Sequence, residues 1–228
     1  MSVDTDDKVA FLFWFVKLFF LPMMINFLLG NMGRLLTQSL FSSFSFLLIL
    51  LFTIDTIYFT IGYILEMPLL GNVVKSVDST FLGWIVALVC YPPFNYWVGN
   101  YIPWGAHDLV YFGSDFVTAV ARVVLILLLL VYVWASVALG FKASNLTNRG
   151  IVTKFPYSLV RHPAYMSKNL FWWITLIPVI SWKFALGLFF WSVIYYFRAV
   201  TEERHLGMDP EYRDYSSRVK WKFIPKVW

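Results

Sequence analysis

The sequence predicts an all-α integral membrane protein, and three observations carry that expectation. The 228 residues are 60% hydrophobic and only 14% charged, against roughly 25% in soluble domains. Several apolar runs reach the roughly 20 residues that a helix needs to cross a hydrocarbon core. These runs are continuous rather than alternating in polarity, which argues for helices over a barrel. The net charge of +5 is not spread as a nucleic-acid-binding stripe: twelve of the 18 lysines and arginines fall in 141–168 and 198–228, while 35–140 holds only Lys75 and Arg122. That asymmetry is a positive-inside signature and predicts a cytoplasmic C-terminal region, with membrane lipids rather than nucleic acid as partners.

Residues 9–29 read as a first membrane helix, with Pro22 inside it and Gly30 at its end. The acidic residues ahead of it do not resemble a cleavable leader, so the helix is expected to remain in the mature chain. Residues 40–65 form the second, with Asp55 well inside. A carboxyl group at that depth marks either function or a structural hydrogen bond to a partner helix. Residues 80–98 read as a third helix interrupted by Pro92 and Pro93, which remove backbone donors and force a break or kink. An aromatic loop follows over 99–116, and Trp97 at the helix end with Tyr101 and Trp104 in the loop fits an interfacial belt. Residues 117–141 form the fourth helix and return the chain to the basic side. Cys90, the single cysteine, reads as a small buried hydrophobe, and no metal cluster is expected.

Two parts follow from this: N-terminal membrane helices over 1–140 and a C-terminal region over 141–228. Within the second, 142–168 is too polar for lipid, and 169–197 is apolar but broken by PVISWK at 178–183. A helical hairpin with two arms short for full crossings keeps both polar blocks on one side. A polar cap ends the chain.

The segment GIVTKFPYSLVRHPAY at 150–165 concentrates the special residues. Gly150 permits unusual backbone angles, and Pro156 and Pro163 push their preceding residues away from helix. Irregular backbone leaves polar groups free for a ligand, Tyr157, His162 and Tyr165 suit a flat ring, and Arg161 suits a carboxylate. The second block, RAVTEER at 198–204, places Arg198 and Glu202 one turn apart on one helix face. Those two either reach into one pocket or bridge each other. Glu203 is turned about 100° away from Glu202.

The pattern IVTxxPYxxVRHPxY, then RxxxEE some 40 residues on, then EYxxYxxRV, resembles the isoprenylcysteine carboxyl methyltransferase family over roughly 141–228. The resemblance implies S-adenosyl-L-methionine as cofactor and a lipophilic or membrane-embedded methyl acceptor. It implies a cofactor wall of Ile151, Val152, Tyr157, His162, Pro163 and Tyr165, a cofactor contact at Glu202 and an acceptor contact at Arg198; the guanidinium of Arg161 is, by its own chemistry, a second anchor for a carboxylate acceptor. An amine acceptor would add Glu203 or His205 as base. Phe155 stands where the family usually has glycine, and Met166-Ser167 where it has x-Gly, so the family's prenylcysteine specificity does not carry over. Two other classes remain in view: a transport or scaffold protein built on the broken third helix, and an NADPH-dependent reductase of the sterol type, whose scaffold is larger.

Overall fold

The structure, a computed structural model, describes residues 5–37 and 43–227. The expected start of the second helix at Leu40 therefore lies outside the described residues. Eight α-helices account for most of the described chain: α1 Thr5–Thr37, α2 Ser43–Ile64, α3 Phe81–Leu88, α4 Phe94–Tyr101, α5 Asp115–Leu139, α6 Pro163–Leu176, α7 Trp182–Leu206 and α8 Pro210–Arg218. Four of these helices, α1, α2, α5 and α7, are long and apolar enough to cross a membrane, in keeping with a multi-pass membrane protein.

α1 runs through both Pro22 and Gly30 for 33 residues, about 50 Å at helical rise. Its first half is anchored: Val16, Phe20 and Met24 are buried against Tyr63 of α2, with Lys17 bridged to Glu66. Its second half packs more loosely, with Phe27, Asn31 and Arg34 lining a space shared with α2, and Leu36 is 85% exposed. The main core is built by α2, α5, α6 and α7, where Leu48, Leu125, Leu129, Phe171, Leu188 and Trp191 interlock.

The third expected crossing is not one helix. Thr80 caps the start of α3, the Pro92-Pro93 pair interrupts the ladder, and α4 resumes for eight residues. The segment nevertheless runs antiparallel along α7. Asp78 meets Arg204 at 3.5 Å, Tyr91 meets Arg198, Trp104 packs on Trp191 and Gly105 abuts Phe184. Between Phe184 and His205, α7 rises about 31 Å, so the broken segment covers the depth of a bilayer core without a helix of its own long enough to span it. The hairpin expected over 169–197 is present as α6 and α7, joined by a 3-10 turn at Ile177–Val179 and started again by the Ser181 cap. Its arms are unequal. α6 has 14 residues, but α7 has 25 and is a full-length crossing rather than a short arm.

The connections on one side of the bundle meet. Strand β1, Ser76–Val77, pairs antiparallel with β2, Thr147–Asn148. Arg149, stacked over the rings of Phe13 and Tyr63, donates to the Gly62 carbonyl and to Asn72 Oδ1. Asn148 and Lys75 reach Asp209, which caps α8. The three polar connections thus form one layer over the ends of α2, α5 and α7.

Candidate functional site

Pro163 occupies the first turn of α6, where its missing N–H has no helical partner to lose. That placement leaves Arg161 and His162 with free backbone donors, and the C-terminal tail takes them: Arg161 N donates to Trp221 O and His162 N to Lys222 O, at 2.9 and 2.8 Å. The side chains close the same join. Arg161 Nε donates to Glu203 Oε1 at 2.7 Å, and its Nη1 donates to the carbonyls of Val219 and Lys220. His162 Nε2 lies 3.0 Å from the same Glu203 oxygen, and Lys222 Nζ 2.9 Å from the other. Glu203 is therefore the centre of a clasp that ties α7, the start of α6 and the tail together. Arg161, whose charge suits a carboxylate ligand, has a carboxylate of its own.

On the adjoining face of α7 the arrangement differs. Tyr165 stacks on the His162 ring at 5.4 Å between centroids and donates its hydroxyl to Glu202 at 2.7 Å. Arg198, one turn earlier, is 9% exposed and lies over the rings of Tyr91, Tyr165 and Tyr195 at 5.3, 5.2 and 5.9 Å. Its guanidinium donates to Asn145 Oδ1, and Asn145 is itself held through its backbone N–H by the Tyr63 hydroxyl at 2.8 Å. Among the described residues no carboxylate pairs with Arg198, so Arg198 and Glu202 do not bridge each other. A buried guanidinium with only neutral partners is costly, and an anionic ligand is the natural complement.

Two narrow clefts meet at Tyr165, Arg198 and Glu202. One, of about 40 Å³, is lined by Asp78, Thr201, Glu202 and His205. The other, of about 80 Å³, is lined by Tyr132, Tyr157, His162 and Lys168. Each has room for a few waters. In the first, buried His205 has Nε2 at 3.2 Å from Ser76 Oγ and no partner for Nδ1 among the described residues. Beyond them lie two larger cavities that open to the surface, of about 550 and 440 Å³, which share Phe27, Tyr91 and Lys168 with each other and include exposed Tyr96 and Arg34 in their respective walls.

Of the residues singled out from the sequence, Tyr157, Arg161, His162, Pro163, Tyr165, Arg198 and Glu202 all line the second cleft. Ile151 and Val152 are half-buried and line neither cleft. Glu203 faces the clasp instead. Asp55 accepts from Tyr132 at 2.9 Å and from Ser136, the structural hydrogen bonding that was one of its two readings. Sequence reasoning missed Asn145, Tyr91, Tyr195 and Lys168. Lys168 was placed in the polar connection, but it is three residues beyond Tyr165 inside α6, a spacing that itself puts both on one helix face. The chain matches no family model, and no curated protein matches it.

Proposed function

We propose that this chain is an integral membrane methyltransferase that uses S-adenosyl-L-methionine to methylate the carboxylate of a lipophilic acceptor, with the clefts at Arg198 on the cytoplasmic side. The observation that carries the reading is Arg198: a buried guanidinium walled by three tyrosines, without an acid partner among the described residues, one turn from a carboxylate that Tyr165 holds at the same cleft.

The donor set suits the cofactor. Glu202 offers a carboxylate to a cationic ligand, Tyr165 and His162 offer a stacked wall, and His205 Nδ1 offers an unmet hydrogen-bonding atom. When bound, the cofactor supplies a sulfonium methyl group, which passes to an acceptor oxygen as the sulfur recovers its electron pair. Arg198 holds the acceptor anion, and the tyrosine walls keep water from competing. A carboxylate acceptor needs no base. An amine acceptor would have to use His205 as its base, because Glu203 is held by Arg161, His162 and Lys222. With room for only a few waters in each cleft, loading requires a lining segment such as 144–147 to move aside.

Calorimetric titration of the purified protein with S-adenosylhomocysteine and, separately, NADPH tests the reading. Binding of S-adenosylhomocysteine alone is expected. Binding of NADPH alone would move the chain to the reductase class, and binding of neither would leave a transport or scaffold role.

A further inference from the structure

Lys168 lines the cleft at Arg198, and methyl transfer assigns it no task. Its ammonium lies 5.3 Å from the ring centroids of both Tyr132 and Trp172. Among the described residues no carboxylate lies within 4.0 Å of it. Asp55 and Asp108 both attract it from a greater distance, but neither reaches it, and both Asp55 oxygens already accept hydrogen bonds from Tyr132 and Ser136. Lys168 lines three spaces at once: the cleft at Arg198 and both larger cavities.

Those cavities differ in chemistry. The larger is walled by Trp104, Trp172, Trp191 and Tyr195 and suits an apolar chain. The other carries Asn31, Arg34, Asp55 and Thr56. A charge at this depth is costly, and resting over aromatic faces offsets only part of that cost. An anion arriving with its own apolar body would complete the coordination without needing water.

We propose that Lys168 is the anion-binding residue of a membrane-depth site for a single-chain amphiphile, whose oxyanion head meets the ammonium and whose chain fills the tryptophan-walled cavity. The site rests on the methyl-transfer reading only for what happens next, namely passage of a bound acceptor toward Arg198. Binding itself is independent of that reading. The shared chemistry is an oxyanion on an alkyl chain, carried either by a carboxylate or by a phosphate monoester.

The test uses the whole protein in nanodiscs of neutral lipid, with a dibrominated stearate, its methyl ester and the matching brominated alkyl phosphate as quenchers of tryptophan fluorescence, at a pH where the acids are ionised. At least one anion is expected to quench at a concentration lower than the ester by roughly tenfold or more. The better of the two anions identifies the head group. In Lys168→Met that preference should collapse to the ester's level, and Lys168→Arg should keep it. Equal quenching by anions and ester in the wild type, or a preference that survives in Lys168→Met, overturns the proposal. Calorimetry with S-adenosylhomocysteine reports separately on the methyl-transfer reading.

Discussion

Arg198 and Glu202 share one face of α7 yet answer to different neighbours, the first to Asn145 and three tyrosine rings, the second to the Tyr165 hydroxyl. Their substitutions are therefore expected to fail differently. Arg198→Ala should keep affinity for S-adenosylhomocysteine and lose turnover, while Glu202→Gln should lose roughly tenfold in cofactor affinity as a charge-assisted contact becomes neutral. Parallel losses of thermal midpoint with unchanged affinity in both variants would contradict the division. Glu203 sits on the neighbouring face, and there the expected damage is to the fold. Glu203→Gln leaves Arg161 and Lys222 without their common counter-charge, weakens the contact to His162, and should lower stability by on the order of 2 kcal/mol, screening at the more exposed Lys222 included. The check is a thermal melt beside Arg161→Ala, whose loss should be similar and largely non-additive with it. The contrast between the two glutamates was only half legible in the chain. The 3.6-residue period separates their faces, but what each face meets is set by Tyr165 and Lys222, which approach from other elements. Asn145 was wholly hidden, because its role depends on Tyr63, 82 positions away.

At the scale of elements, packing against α7 decides which segments hold their place. Gly187 lets the chain at Pro103 lie directly on the helix, and a Cβ there would run into the Pro103 carbonyl oxygen. Gly187→Ala should therefore push the broken crossing off α7 and lower the thermal midpoint, whereas Gly33→Ala, where a Cβ meets nothing within 4 Å, should not. At the other end, Asp209 joins α8 to β2. The hydrogen bond from Asn148 holds its carboxyl below the ordinary aspartate range against a smaller opposing effect of burial, and the Glu211 N–H and Lys75 reinforce it. A folded-state pKa below the unfolded value means stability that is present above about pH 4 and lost as pH falls through the folded value. The stability gap between wild type and Asp209→Asn should thus be present near neutrality and close in acid. A gap unchanged after full protonation would remove the carboxylate from the join. The Pro92-Pro93 break and the Ser181 restart were readable from local punctuation. The length of α1 was not, since Pro22 and Gly30 end helices in water far more readily than in a segment of such continuous apolarity.

Across the whole molecule, the layer formed by residues 65–80, 140–162 and 207–227 gathers most of the basic side chains at one end of the bundle, as the charge asymmetry of the chain suggested. Cysteines introduced at Ser144 and Ser217 should therefore be labelled from the same side of the membrane, and one at Lys183 from the other. Labelling of Ser144 and Ser217 from opposite sides would dismantle the hairpin topology. What the chain did not disclose is how its long helices are shared out: α7 reads as a short arm in the sequence and is a 25-residue helix, whereas the broken third crossing was legible. That crossing has a consequence for synthesis. Residues 78–105 leave the ribosome well before α7, the helix they lie along, exists. Neither piece is long enough to partition into lipid as an independent span, so the segment must wait outside the bilayer core and enter only when its partner arrives. Chains arrested before Ser181 are expected to leave a glycosylation reporter near Trp104 untranslocated, and chains extended past Leu206 to translocate it. The order of assembly would then depart from the order of translation.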